Sequence, residues 1–344
     1  MSLRIRKEGI FMSDNTIPIF FTVDEGYAPY LDCALCSLLK NASADYSYQI
    51  YILHDKMTDE SISRISTALE ARDNAHDFDA EIHFIRMEEE FAGLTDRTEN
   101  RLRCDYFTMT IFFRIFIADM FPQYDKGIYL DSDVIVPGDI SQMYELALGD
   151  CVIGACPDHS IWGIPELERY LEYSIGVEPH RYINSGVLLM NLKKLREVEF
   201  GKRFLTLLNK HHFDCVAPDQ DYINAMCAER ILFLDECWDT MPPEGGVQAN
   251  VETPKLIHFN LFQKPWCYDD IPYEEYFWEY ARISPFYEDI LEHKKNYSEE
   301  QKQSDRQCLQ TIIAKGGQMD RQDVTFRKMR EKGERIRLAD ESGI

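Results

Sequence analysis

Residues 127–137 read Gly127-Ile128-Tyr129-Leu130-Asp131-Ser132-Asp133-Val134-Ile135-Val136-Pro137. An apolar, strand-forming run leads into two carboxylates one residue apart, and a second apolar triplet follows before the proline ends the run. Because side chains alternate along a strand, Asp131 and Asp133 point the same way from its end. Two carboxylates this close repel each other, and a divalent cation such as Mg²⁺ or Mn²⁺ would keep both ionised. The structural alternative is that one aspartate caps a turn while the other is solvated.

The composition is that of a folded, acidic protein. The 344 residues are 45% hydrophobic and 12% aromatic, which excludes global disorder. A formal net charge of −23 argues against a nucleic-acid partner, although a metal and a few local cations would still admit an anionic ligand.

The cysteines are scattered except for Cys33 and Cys36, whose apolar helical context favours a buried pair over zinc or redox chemistry. Scattered thiols without a signal peptide predict the cytoplasm.

Strands and helices are predicted to alternate before the acidic stretch. Apolar patterns predict strands and helices in the order 17–23, 30–41, 48–54, 58–71 and 81–87. Two strand–helix units followed by a third strand imply parallel pairing with right-handed crossovers. A helix is predicted at 108–121, interrupted by the single cation Arg114 and followed by Pro122. Ligands of such open sheets bind at the carboxyl ends of strands, where Asp24 and Asp131 lie.

The sequence is predicted to divide into three parts. Residues 1–15 are disordered or left from cloning, residues 16–290 form one domain, and residues 291–344 form a basic helical tail. From Lys294 onward, 12 Lys+Arg stand against 9 Asp+Glu, a net charge of +3. The basic residues of 326–338 predict peripheral contact with an anionic membrane surface, with a solvated helix as the alternative.

Four motifs, taken in this order, resemble glycosyltransferase family 8. They are Tyr129-Leu130-Asp131-Ser132-Asp133, Asn184-Ser185-Gly186-Val187-Leu188-Leu189-Met190-Asn191-Leu192, Asp219-Gln220-Asp221, and His258 followed by Lys264-Pro265-Trp266. That family comprises retaining sugar-nucleotide transferases, including bacterial lipopolysaccharide galactosyl- and glucosyltransferases and, more distantly, glycogenin. The resemblance implies an α/β GT-A fold, which is an open, mostly parallel nucleotide-binding sheet flanked by helices. A helical C-terminal extension is predicted to follow.

The resemblance also implies a UDP-hexose donor, a saccharide acceptor and a Mn²⁺ ion, with Mg²⁺ as the alternative. By position, Asp131, Asp133 and His258 would hold the metal, which would stabilise the charge developing on the UDP leaving group. The positions that match the family's donor contacts are Val23, Asp24, Arg114, Asp158, Asn184 and Lys264.

Retention of the anomeric configuration requires either an enzyme nucleophile or attack from the leaving-group side. The family residue near the anomeric carbon matches Gln220, whose amide is a poor nucleophile. Front-face attack is therefore predicted, with Gln220 in a positioning role and Asp219 as the fallback nucleophile. Three positions depart from the family: Gly26 stands where an asparagine or serine often holds the base, Tyr106 stands where some members have a histidine, and Leu261 replaces a glycine beside the diphosphate.

The predicted activity is transfer of galactose or glucose from UDP to a glycan, such as a bacterial surface polysaccharide or lipopolysaccharide. Two alternatives stay open. One is a phosphatase of the haloacid-dehalogenase type that uses the Asp-x-Asp pair, and the other is a non-catalytic nucleotide-sugar-binding protein on the same fold. The predicted location is the cytoplasm, with the basic tail at the inner face of the membrane. The residues do not distinguish the two epimeric donors, which differ at one hydroxyl.

Overall fold

The computed structural model describes residues 2–5, 15–73, 79–87, 109–242 and 251–341. The strands are β1 (Ser2–Ile5), β2 (Thr16–Val23), β3 (Ser47–His54), β4 (Asp79–Arg86), β5 (Gly127–Asp131), β6 (Val134–Ile135), β7 (Ile153–Ala155), β8 (Val187–Met190), β9 (Ile231–Phe233) and β10 (Ile257–His258). Eight of them form one sheet in the order β1-β4-β3-β2-β5-β8-β7-β9, and β6 pairs with β10 in a separate ribbon.

Helices cover both faces of the sheet. They are α1 (Ala28–Asn41), α2 (Asp59–Asp73), α3 (Phe113–Met120), α4 (Ser141–Tyr144), α5 (Pro165–Tyr170), α6 (Leu192–Glu197), α7 (Phe200–His211), α8 (Pro218–Cys227), α9 (Glu274–Ala281), α10 (Tyr287–Asn296), α11 (Glu299–Met319) and α12 (Phe326–Glu331). Strands β2, β3, β4 and β5 pair in parallel, whereas β8 runs antiparallel to both β5 and β7. The predicted open, mostly parallel sheet flanked by helices is therefore confirmed.

The sheet separates two hydrophobic cores. Alternation along β2 sends Ile19 and Phe21 into the core that α1 covers, and sends Phe20 into the core that α3, α7 and α8 cover. Both faces of β2 are apolar because helices bury both of them, as is usual for parallel strands. This burial fixes the register of the strand whose carboxyl end carries Val23 and Asp24.

Three boundaries differ from the sequence-based expectations. Residues 2–5, predicted to lie outside the fold, form the edge strand β1 antiparallel to β4, whereas residues 6–14 lie outside the described residues. The helix expected at 108–121 begins with a 3₁₀ turn at Met109–Phe112 before α3. The boundary predicted at residue 290 falls inside α10, and the chain is helical on both sides of it. The first of these differences depends on pairing between strands far apart in the chain, which local patterns do not encode.

The C-terminal helices pack on the sheet domain, and the predicted helical extension is confirmed. A capping box joins Ser298 and Gln301 at the start of α11. Phe326 and Met329, from the predicted basic patch, are buried in the core shared with α8. In the described part of the chain, no helix combines the length and the apolarity that a membrane span requires.

Candidate active site

The ribbon of β6 and β10 brings distant carboxylates and a histidine together. His258 is paired with Val134, and the backbone N–H of Phe259 donates to the carbonyl of Asp133 at 2.9 Å. Asp131 ends β5, and its backbone N–H donates to the carbonyl of Gly186 at 2.7 Å. Thus residues 131–133 are hydrogen-bonded to the segment around Gly186 on one side and to the segment around His258 on the other, and both segments belong to predicted motifs.

Asp131, Asp133 and His258 converge closely enough to hold a metal ion. Nε2 of His258 lies 3.3 Å from Oδ1 of Asp133 and 3.9 Å from Oδ2 of Asp131. One ligand atom from each residue lies within 4.8 Å of the other two. A side chain at Gly186 would put Cβ 2.3 Å from His258 Cε1 and 2.6 Å from Asp131 Oδ2, so glycine keeps this space open. Two carboxylates and an imidazole form a donor set that suits a borderline divalent cation.

Asp239 orients the histidine from behind. Its Oδ1 lies 3.1 Å from Nδ1 of His258, and only 1% of the residue is exposed. Among the described residues, its Oδ2 has no hydrogen-bond partner. Burial lowers the pKa of His258, but the charges of Asp133 and Asp239 outweigh burial and raise the pKa to about 10. Asp239 belongs to none of the predicted motifs. It lies next to His258 because the following residue, Thr240, forms a β-bridge with Ile257, which precedes His258.

Lys264 supplies a buried positive charge next to this group. Its ammonium contacts the Asp133 carboxylate and the Phe259 carbonyl. Burial lowers the pKa of Lys264, yet the charge and hydrogen bond of Asp133, together with the nearby Tyr27, outweigh burial and raise it. Conversely, burial raises the pKa of Asp133, and the charges of Lys264 and His258 lower it more strongly. Lys264 is therefore protonated and Asp133 ionised at neutral pH.

Arg114 connects the metal-ligand group to the Asp219 side of the cleft. Its Nη2 donates to Oδ1 of Asp131 at 2.9 Å, and its Nε lies 3.2 Å from Oδ2 of Asp219. Nη1 donates to the Ser185 carbonyl at 2.6 Å. The guanidinium carbon lies 4.5 Å from the ring centroid of Tyr129, whose hydroxyl donates to Asp131 at 2.5 Å. Tyr129 belongs to the Tyr-Leu-Asp-Ser-Asp motif. Its contacts with Arg114 and Asp131 give it a role in positioning both side chains, which sequence patterns did not indicate.

The amide of Gln220 is fixed in one orientation. Its Nε2 donates to Oδ2 of Asp158 at 2.7 Å, and its Oε1 accepts from the backbone N–H of Ser185 at 2.9 Å. Asn184 donates to the same Asp158 oxygen at 3.3 Å. The Ser185 hydroxyl donates to Asp219 at 3.0 Å. The first two residues of the Asp-Gln-Asp motif are thereby tied to the Asn-Ser-Gly turn.

Asp221, the third residue of that motif, anchors the start of α8. Its carboxylate accepts from the hydroxyls of Tyr170 and Tyr182, each at 2.7 Å. It also accepts from the backbone N–H groups of Val216 and Ala217 at 2.9 and 3.0 Å. Burial raises the pKa of Asp221 to about 6, and these hydrogen bonds only partly oppose that rise. This anchoring role was missed because both tyrosines are distant in sequence.

All eleven predicted site residues line one cleft of about 280 Å³ at the carboxyl edge of the sheet. Val23 and Asp24 lie at the end of β2, where Asp24 caps a short 3₁₀ turn by accepting from the backbone N–H of Tyr27 at 3.2 Å. Burial raises the pKa of Asp24. Leu261, which departs from the family pattern, has a left-handed backbone with φ of 52°.

The carboxyl edge of this open α/β sheet thus holds a candidate metal site and two buried cations in one cleft, at the place where open sheets bind their ligands. The family model of glycosyl transferase family 8 matches residues 18–270, and the chain belongs to this family. This match confirms the predicted family. The alternative prediction, a phosphatase of the haloacid-dehalogenase type, is left without support.

Relatives of this chain are distant in sequence. The lipopolysaccharide 1,2-glucosyltransferase of Escherichia coli K12 is 24% identical over 298 residues, which cover 81% of this chain and 83% of that protein. General stress protein A of Bacillus subtilis is 24% identical over 271 residues, covering 74% of this chain and 88% of that protein. A Haemophilus influenzae relative is 25% identical over 230 residues, covering 67% of this chain, and only 64% of its own length is matched.

Solved structures share the fold. The bifunctional glycosyltransferase WbbM superposes with a TM-score of 0.69 at 20% identity, covering 83% of this chain and 53% of that one. The galactosyltransferase LgtC, solved with donor and acceptor sugar analogues, gives a TM-score of 0.62 at 24% identity, covering 78% of this chain and 96% of that one.

Proposed function

We propose that the chain is a metal-dependent, retaining hexosyltransferase that moves galactose or glucose from UDP to a glycan acceptor, as in bacterial surface polysaccharide or lipopolysaccharide synthesis. The observation that carries this proposal is the convergence of Asp131, Asp133 and His258 in the cleft that also holds Lys264 and Gln220. The family and its lipopolysaccharide glucosyltransferase members support the same reaction.

Asp131, Asp133 and His258 would hold Mn²⁺, which an imidazole ligand favours over Mg²⁺ without excluding the latter. When bound, the ion would act as a Lewis acid toward the diphosphate leaving group. The space that Gly186 leaves beside His258 and Asp131 is where such an ion fits.

Other residues of the cleft would bind the remaining parts of the donor. Lys264 is a fixed point charge suited to the diphosphate. Asp24 and Val23 would contact the uracil, with the carboxylate accepting from the base N–H. Asp158 and Asn184 would bind hydroxyls of the donor sugar.

Front-face attack agrees with the hydrogen bonds around the two candidate nucleophiles. Gln220 is an amide held by Asp158 and Ser185, and Asp219 is already engaged by Arg114 and Ser185. In the proposed step an acceptor hydroxyl attacks the anomeric carbon from the leaving-group side. The bond to the phosphate oxygen breaks, and the hydroxyl proton passes to that departing oxygen.

Contact of the C-terminal tail with an anionic membrane surface remains part of the proposal. Phe326 and Met329 are buried, so basic side chains alone would make such a contact. Salt would therefore weaken it strongly. A cytoplasmic location likewise stays a prediction.

Calorimetric titration with UDP-galactose and UDP-glucose tests the proposal, first with Mn²⁺ and then with a chelator. One sugar nucleotide is expected to bind the wild type only when metal is present, and Asp133→Ala is expected to abolish that binding. Asp323→Ala, which removes an exposed carboxylate, is the control and should bind as the wild type does. Absence of UDP-dependent heat in the wild type under every condition would overturn the proposed function.

A further inference from the structure

One side of the cleft is apolar and is built partly by the C-terminal helix α11. We name as the apolar wall the six residues Ile161, Leu167, Leu261, Phe262, Leu309 and Ile312. Leu167, Phe262 and Ile312 are buried, and the other three are partly buried against them. The wall lines the same cleft as Arg114 and Gln220, so a ligand there would lie beside the donor site.

The apolar wall combines residues from inside and from beyond the family match. Leu261 and Phe262 lie between His258 and Lys264, within the residues that the family model matches. Leu309 and Ile312 lie on α11, beyond that match, which ends at residue 270. The residues proposed to bind the metal and the diphosphate therefore lie within the family match, whereas Leu309 and Ile312 lie beyond it.

Packing holds α11 in place against α5. A Cβ at Gly316 would lie 2.7 Å from Cδ2 of Leu167, so glycine permits this close approach of the two helices. Near the start of α11, Asp305 accepts from the hydroxyls of Tyr268 and Tyr297 at 2.7 and 2.6 Å. The helix is thus fixed near both ends, and the wall is a preformed surface.

The chemistry of the wall indicates what it binds. Five of its six side chains are aliphatic, the sixth is a phenylalanine, and none carries a charge or a hydrogen-bonding group. Sugar hydroxyls pressed against it would lose water without gaining a partner, which is unfavourable. Hydrocarbon pressed against the same surface gains by leaving water. The polar side of the cleft, with Asp158 and Gln220, offers the hydrogen bonds that a saccharide needs.

We propose, on the basis of the proposed function, that the apolar wall is the acceptor subsite and that it binds an aliphatic aglycone. The acceptor is then an amphipathic glycoside whose sugar faces the donor and whose hydrocarbon lies along α11. Because the apolar wall lines the same cleft as the donor site, this contact would select acceptors that carry an apolar aglycone.

The test compares octyl and methyl β-glucosides and β-galactosides, each below its critical micelle concentration, by calorimetry and saturation-transfer NMR. The octyl chain is expected to raise affinity for the wild type at least about tenfold, given the apolar surface it buries. Leu309→Gln, at a partly exposed position, is expected to remove most of that gain, and Leu309→Met to keep it. Leu291→Gln changes a leucine that is 37% exposed on α10, outside the cleft, and should also keep it.

The outcomes separate this inference from the proposed function. Equal affinity for octyl and methyl glycosides in the wild type would overturn the acceptor subsite, as would equal losses in Leu309→Gln and Leu291→Gln. The thermal unfolding midpoint of Leu309→Gln shows whether its fold is intact. If it is not, Leu309→Ala carries the test, because it shortens the apolar side chain without adding a polar group and should also lose part of the octyl gain. Donor binding is measured separately with UDP-hexose and Mn²⁺, so its failure would sink the transferase while leaving the glycoside result readable.

Discussion

Oδ1 of Asp239 lies 3.1 Å from Nδ1 of His258, and the opposite ring nitrogen lies 3.3 Å from Asp133. A carboxylate that engages one nitrogen of a histidine fixes the ring's orientation and holds the proton on that nitrogen, so that a metal can displace the proton of the other nitrogen and use it as a ligand. Asp239 is therefore a positioning residue for the candidate metal site.

Asp239→Asn is expected to weaken Mn²⁺ binding about 10- to 100-fold, the usual effect of losing such a partner. Isothermal titration with Mn²⁺ alone measures this without substrate. Asp235→Asn is the control, because asparagine still caps the turn that Asp235 begins. Equal Mn²⁺ affinity in Asp239→Asn and wild type would contradict the role given to Asp239.

Gly186→Ala is expected to lower metal affinity by about 100-fold or more, because the new methyl group would enter the space between His258 and Asp131. Gly26→Ala provides the comparison, since its nearest neighbour, Oδ1 of Asp24, would lie at an ordinary 3.4 Å. Titration with Mn²⁺ measures the metal affinity of both variants. Wild-type affinity in Gly186→Ala would contradict the placement of the metal beside this glycine.

Arg114→Ala is expected to destabilise the fold by about 3–5 kcal/mol, because it leaves Asp131 and Asp219 without their buried cation. Replacing Asp219 by asparagine in that background should recover part of the loss, which a double-mutant cycle in urea measures. Arg169→Ala serves as the comparison. It should lower the free energy of unfolding by less than about 1 kcal/mol, because the side chain of Arg169 is 62% exposed in its pair with Asp320. Strict additivity in the cycle would show that the two residues do not interact.

Leu261→Gly is expected to be more stable than Leu261→Ala. Both variants lose the packing of the leucine within the apolar wall, but only glycine removes the cost of a left-handed backbone at φ of 52°, about 1–2 kcal/mol. Urea denaturation of the two variants measures the difference directly. The opposite ranking would mean that the backbone at this position is not left-handed in solution.

Asp221 predicts a pH dependence of stability. Its folded pKa of about 6 lies above the ordinary value of 3.8, so the folded state binds the proton more tightly than the unfolded state does. Stability is then greatest below the ordinary pKa and falls as pH rises toward 6, by about 1.4 kcal/mol per pH unit. Relative to Asp221→Asn, the wild type should lose free energy of unfolding between about pH 4 and 6 and stay level above that range.

Urea titrations of wild type and Asp221→Asn across this pH range check the slope, with Asp323→Asn as an exposed control. Parallel pH profiles for the wild type and Asp221→Asn would show that the buried carboxylate keeps its ordinary pKa.

Local patterns were sufficient for the first half of the sheet and for the acidic pair. Strands β2, β3 and β5 follow from short apolar runs, and the carboxylates of Asp131 and Asp133 follow from their spacing at a strand end. The antiparallel placement of β8 and the edge strand β1 were beyond such reasoning. Strand order depends on which distant surfaces bury each other, whereas strand formation depends on neighbours in sequence.

Residue types and their spacing were enough to predict the family, most strands and helices, and the side chains with the right chemistry, because these are local properties of the chain. The folded chain alone places Asp239 behind His258, joins Arg114 to both Asp131 and Asp219, and closes the cleft with the apolar wall on α11. Those contacts join residues far apart in the chain, and packing of whole helices and strands sets the distances between them.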